Sequence, residues 1–158
     1  MARFERSIVV EAPLEDVWQF HSTVDGLVEL TPTWMGLEIE RIVGPDGTLD
    51  PAELVAGTEI AMAARPFGVL PGGSWVSRIT SRDYRPGEAH FSDEMVEGPF
   101  SHWVHTHTFT RMNGRTRLHD RVDYQLAEPM TGVSGVARPF FEAFFRYRHR
   151  QTKSILEA

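Results

Sequence analysis

Hydrophobic and polar positions along the chain follow period two for most of its length and change to helical spacing at the end. Phe4, Arg6, Ile8 and Val10 against Arg3, Glu5, Ser7 and Val9 give a partly alternating strand over residues 3–11, closed by Ala12-Pro13. Pro13 suits the first position of a short helix, with Glu15 and Asp16 near its positive end and Leu14, Val17 and Trp18 on one face. Ser22 or Thr23 can cap a second short helix carrying Val24, Leu27, Val28 and Leu30, ended by Thr31-Pro32. Strands are then predicted over residues 37–43, 58–65, 74–84, 89–96, 100–111 and 115–126, with turn chemistry at Gly44-Pro45-Asp46-Gly47 and a Pro/Gly-bounded loop over 66–73. From Val133 the spacing is three and four: Val136, Phe140, Phe141, Phe144, Phe145, then Ile155 and Leu156. Pro139 predicts a kink or a fresh helix start inside that run. The order is one strand, two short helices, six strands and one long helix. That predicts an α+β fold: a seven-stranded antiparallel sheet whose apolar face is covered by the C-terminal helix.

At 158 residues the chain is expected to form a single domain, 1–158, large enough to bury a sizeable core. Hydrophobic residues make up 41% and cysteines are absent, so disorder, disulfides and thiol chemistry are excluded. No stretch approaches the ~20 apolar residues of a spanning helix. No secretory signal opens the chain, and a cytoplasmic location is the expectation. The net charge of −6 disfavours nucleic acid and anionic membranes as partners. Arg138, Arg146, Arg148, Arg150 and Lys153 read as a solvated basic helix face. A homodimer is left open.

Asn113-Gly114 between two strand patterns is a strong hairpin signal, and it fixes the pairing outward from Met112 and Arg115. Phe109 then faces Leu118, His107 faces Asp120, His105 faces Val122 and Trp103 faces Tyr124, all on one sheet face. The opposite face, with Thr108, Thr110, Arg117, His119, Arg121 and Asp123, is polar, so the first set points inward. Gly98-Pro99 turns the preceding hairpin and brings Phe91, Asp93 and Met95 onto the same inner wall, with Asp93 within one or two pairs of His105. A carboxylate beside imidazoles in an apolar wall can act as a positioned acid or base near neutral pH. The same pair can equally lock a strand register, since a buried carboxylate needs a partner. His105, His107 and Asp120 have a metal-like spacing, but with no further histidine or cysteine suitably placed no metal is expected. Trp34, after Thr-Pro-Thr, is expected near a cavity mouth, and Phe67, Val69 and Leu70 as a lid or a quietly packed loop. Arg146 and His149 are in reach of a ligand from the helix but are expected in solvent, and His21, His90, His102 and His119 at the surface.

The element order resembles the START-like/Bet v 1-like (SRPBCC) superfamily. The stretch from Asp93 to Phe100, then Trp103, His105, His107 and Phe109, then Thr116-Arg117-Leu118 and Asp120, resembles its bacterial polyketide cyclase/dehydrase-like branch. Phe145-Arg146-Tyr147-Arg148-His149 points the same way. The resemblance implies a helix-grip fold, a curved sheet wrapped around the long helix, with a cavity for a small hydrophobic or aromatic molecule. In that cavity Asp93, His105, His107 and Asp120 are the catalytic candidates, lined by Phe91, Met95, Trp103, Phe109, Tyr124, Phe141, Phe144 and Trp34. In an enzyme His107 would be the acid or base and Asp120 would orient it. In a non-enzymatic lipid or isoprenoid carrier the same groups would anchor a polar end. No cofactor is implied. An interaction module with a cavity filled by its own side chains is the third reading, favoured by an empty protein with less than ~300 Å³ of space.

Overall fold

A computed structural model describes residues 1–51, 53–70 and 72–157. The chain runs β1 (Ala2–Val10), α1 (Leu14–His21), α2 (Val24–Leu30), β2 (Leu37–Val43), β3 (Glu59–Ala64), β4 (Gly73–Arg85), β5 (Glu88–Glu97), β6 (Phe100–Met112), β7 (Arg115–Leu126) and α3 (Arg138–Leu156). The strands form one antiparallel sheet in the order β1-β7-β6-β5-β4-β3-β2. β1 and β2 are therefore its two edges, and α1 and α2 carry the chain from one edge to the other. The α+β helix-grip architecture predicted from the sequence is the one found.

Local chemistry sets the boundaries. Asn113 (φ 50°) and Gly114 (φ 84°) take the left-handed conformations that a two-residue hairpin requires, and Met112 pairs with Arg115. Register shifts between Ile79 and Ser81 and between Val76 and Ser77 bend β4 against β5, and such bulges increase local twist and curvature. Thr23 accepts a hydrogen bond from Gly26 and caps α2. Pro139 lies in the first turn of α3, so it starts the helix rather than kinking it. The helical spacing read from Val133 onward is corrected in its first part. Residues Thr131–Ala137 form 3-10 turns, with Val133 and Val136 exposed, and the regular helix begins only at Arg138.

α3 packs one face onto the sheet. Phe141, Phe145, Arg148, His149 and Thr152 are buried at three- and four-residue spacing. Phe145 stacks on Phe4 of β1 at 5.3 Å between ring centroids, and Phe141 meets Tyr124 of β7 at 4.7 Å. A second cluster joins α1 to the far end of the sheet, with Trp18 set edge-on to Phe109 at 5.6 Å. A third joins Ile42, Leu54, Ile60, Met62 and Ile79 under α2. Among the described residues no helix is long and apolar enough to cross a membrane.

Candidate functional site in the sheet–helix cavity

The inner wall is built by register. β6 pairs with β7 so that His107 faces Asp120, His105 faces Val122 and Trp103 faces Tyr124. β5 pairs with β6 so that Asp93 faces His105 and Phe91 faces His107. Asp120, His105 and His107 are buried, and the Asp93 side chain is only 14% exposed. The rings of Phe91 and His107 stack at 4.1 Å, those of His107 and His105 lie 3.7 Å apart, and Phe145 closes edge-on over His105 at 5.1 Å.

Asp120 lies behind the imidazoles and Asp93 in front of them. Asp120 Oδ1 accepts from His105 Nε2 at 2.8 Å, and Oδ2 accepts from His149 Nε2 at 2.5 Å. His107 Nδ1 also lies 2.9 Å from Asp120 Oδ1, off the line of a hydrogen bond, so that contact is chiefly one of charge. On the other side His105 Nδ1 and His107 Nε2 stand 3.9 and 3.8 Å from Asp93 Oδ2. Asp93 Oδ1 is fixed by Ser77 Oγ at 3.1 Å and by the Trp103 indole N–H at 3.3 Å.

The network assigns one tautomer. Arg6 Nη1 lies 2.6 Å from His149 Nδ1, and a guanidinium can only donate. His149 Nδ1 therefore accepts, and its ring hydrogen sits on Nε2, facing Asp120. The imidazoles of β6 divide by charge. Burial pushes His107 down, but the Asp120 carboxylate, and after it Asp93, outweigh burial and hold it above its ordinary value. Burial and then the His107 charge hold His105 below its ordinary value, against the pull of Asp120. Burial opposes ionisation of Asp120. The His107 charge and hydrogen bonds from the surrounding rings nevertheless keep it well below the usual carboxylate range. Asp93 is lowered in the same way: burial is overcome by the His107 and His105 rings and Ser77. The wall thus sets His107, whose charged form the carboxylates favour, beside His105, held toward its neutral form, between two carboxylates.

These groups border a cavity of about 260 Å³ between the sheet and α3. Its lining is otherwise mostly apolar, from Leu30 of α2, Ile60 and Met62 of β3, Trp75 and Ile79 of β4, and the four phenylalanines of α3, Phe140, Phe141, Phe144 and Phe145. Asp93, His105, His107, Phe91, Met95, Trp103, Phe141 and Phe144 all line it. Asp120 does not border the space but holds the rings that do. Phe109 and Tyr124 are fully packed in the core, away from the cavity surface. Trp34 is 48% exposed and lines a neighbouring groove with Phe140 and Phe144. It stacks on Phe67, which is 70% exposed, at 6.1 Å.

Sequence reading missed several residues here. His21, expected at the surface, is buried on the last turn of α1, with Nδ1 2.8 Å from Val17 O and Nε2 3.4 Å from Thr152 Oγ1. Burial, with the His107 charge adding to it, pushes His21 down to about 3 despite its bond to Val17. His149, expected in solvent, is buried against Asp120. Arg148, expected on a solvated face, is buried and lines the cavity. The signal was helical spacing: His21 falls four after Val17 and seven after Leu14, and Arg148 and His149 fall three and four after Phe145.

Asp93, His105 and His107 could also hold a metal ion, since one ligand atom from each lies within 4.8 Å of the others. Ligand atoms around a tetrahedral zinc sit about 3.3 Å apart, so Asp93 would have to close on both rings by about half an ångström from its 3.9 and 3.8 Å contacts.

This architecture, an antiparallel sheet curved around a long C-terminal helix with a cavity between them, is that of the START-like/Bet v 1-like proteins. A protein from Chromobacterium violaceum superposes with a TM-score of 0.70 at 12% identity, covering 99% of this chain and 97% of that one. A START superfamily protein from Mycobacterium smegmatis gives 0.60 at 14% identity, covering 98% and 97%. Norcoclaurine synthase from Thalictrum flavum, in complex with dopamine and hydroxybenzaldehyde, gives 0.65 at 18% identity, covering 99% and 87%. At these identities the likeness is one of fold. No curated protein matches the sequence. Over residues 8–155 the chain belongs to the family described as a domain of unknown function, DUF8410.

Proposed function

We propose that the protein binds a small hydrophobic or aromatic molecule between the sheet and α3, and that His107 delivers a proton to it. The observation that carries this reading is the His107 Nε2 edge. It faces an apolar cavity on a ring whose protonated form the two aspartates favour. A protonated imidazole in a dry pocket is a general acid at neutral pH. Asp120 orients it from behind. Asp93, fixed by Ser77 and Trp103, can accept a hydrogen bond from the ligand or from His107 itself. This arrangement suits cyclisation or dehydration of a carbonyl-bearing substrate, the chemistry of the polyketide cyclase/dehydrase-like branch that the sequence resembles. That norcoclaurine synthase, with the same fold, was crystallised with aromatic compounds is consistent with such a ligand.

The cavity's ≈260 Å³ falls just below the usual range of ligand pockets, which run from about 300 Å³ upward, so the polar wall rather than the volume supports ligand binding over the interaction module. A ligand of one or two rings fits that size. Native mass spectrometry of freshly purified protein should show a bound molecule of that class. His107→Asn and Asp93→Asn should lose it while keeping wild-type circular dichroism. A protein that always purifies empty, and that binds no neutral two-ring aromatic such as 2-naphthamide, would instead favour the interaction module.

A further inference from the structure

Arg148 is the unexplained group of this cavity. It projects from α3 one turn beyond Phe144 and Phe145, with its guanidinium carbon 5.7 and 5.9 Å from their ring centroids. The residue is 8% exposed and lines the cavity. Among the described residues its guanidinium has no hydrogen bond and no carboxylate within 4.0 Å. Arg82, the other inward arginine, shows the usual solution. Its guanidinium lies over the Trp18 ring at 5.0 Å, donates to Ser22 at 3.2 Å and pairs with Glu53 at 3.6 Å, with only Nε buried and unpartnered. A guanidinium carries five N–H donors, and those of Arg148 open on a mostly apolar cavity with no protein acceptor in reach among the described residues. The flanking phenyl rings hold its position but accept no conventional hydrogen bond.

The charges around the cavity point to what completes it. Asp93 and Asp120 are negative. Of the imidazoles, His107 is the one whose charged form the carboxylates favour, while burial holds His105 and His21 toward the neutral form; Arg148 feels the charges of Asp120 and Asp93 without touching either. Arg148 is the cationic side chain of the lining whose guanidinium makes no direct contact with a carboxylate among the described residues.

We propose that the ligand is an organic acid whose apolar body fills the cavity and whose carboxylate is held by the Arg148 guanidinium. The inference rests on the ligand-binding reading above and names the ligand's chemical class. A planar carboxylate matches the guanidinium fork in a bidentate pair, and the site offers it a water-poor setting where such a pair is strong. Placed there, the acid fixes which end of the molecule lies along β5 and β6, where His107 and Asp93 face the space.

Isothermal titration with 2-naphthoate and 2-naphthamide at pH 7.5 tests this, because the probes share shape and differ in charge. The wild-type protein should bind the acid about 30-fold more tightly than the amide, the scale of one good charge-assisted bidentate pair. Arg148→Met should cut that preference to below about threefold through loss of acid binding, with amide affinity held, and Arg148→Lys should keep part of it. Equal wild-type affinities for the two probes would overturn the anion assignment and leave the cavity reading standing. Absence of saturable binding of either probe would overturn both. The wild-type comparison decides the matter even if Arg148→Met fails to fold.

Discussion

At the scale of single residues, Asp120 is the keystone and Asp93 the working face. Asp120 is 1% exposed and takes hydrogen bonds from His105 and His149, with His107 in contact beside them. Asp120→Asn removes the charge those rings converge on and places an amide N–H₂ against imidazole donors. The expected loss is about 3–5 kcal/mol of unfolding free energy, the cost of breaking a buried ion pair from one side. Asp93 holds only two longer hydrogen bonds and borders open space. Asp93→Asn should cost less than half as much while still impairing ligand binding. Urea unfolding of both variants checks the order, and equal losses would show that Asp93 is as structural as Asp120. This division was partly legible beforehand. Period two and one Asn-Gly turn placed His107 opposite Asp120 and put Asp93 on the same wall. The partners contributed by α1 and α3 were not, because no strand register reports which helix turn arrives above a given pair.

At the scale of elements, α3 is a stripe whose residues do different work. Phe145 is fully buried, stacks on Phe4 and covers His105, whereas Phe140 is 46% exposed at the cavity rim. Phe145→Ala should lower unfolding free energy by about 3–5 kcal/mol, the range for emptying an aromatic core site. Phe140→Ala should change it by less than about 1 kcal/mol. Chemical denaturation midpoints separate the two, and a large loss at Phe140 would mean the rim carries packing that its exposure hides. The helix was readable from its phenylalanines, but its start and its polar members were not. Val133 and Val136 continue the hydrophobic spacing backward, yet glycines at 132 and 135 and the fixed φ of Pro139 favour 3-10 turns before Arg138. Arg148 and His149 lie in a run of basic residues that looks solvated as composition. Counted from Phe141 and Phe145, they sit on the buried stripe. Binary pattern treats arginine and histidine as outward-facing, so it misassigned the two helix residues that meet the cavity and Asp120.

At the scale of the whole molecule, the cost of burying imidazoles sets how stability responds to acid. His21 titrates at about 3 and His105 below its ordinary value, both chiefly through burial. Once the pH falls below about 6.5, the unfolded chain binds protons at these rings that the folded protein refuses, so stability drops with the pH. Each such ring contributes a slope of up to about 1.4 kcal/mol per pH unit until its folded value is reached. His107 is raised, so its contribution is fully present below pH 6.5 and is lost only as the pH climbs through its folded value. The lowered Asp120 and Asp93 hold their contribution above about pH 4 and lose it as the pH falls through their folded values, outside the window from 6.5 to 5. Within that window the buried rings of α1 and β6 dominate. The urea midpoint should therefore fall steadily between pH 6.5 and 5, and His21→Gln, which can still donate to Val17 O, should remove about half of the slope. An unchanged midpoint across that range would mean that the rings take up protons while the fold stays closed. Water would then have to reach the cavity freely, and the dry setting on which the proposed acid role of His107 and anion-binding role of Arg148 both depend would be lost.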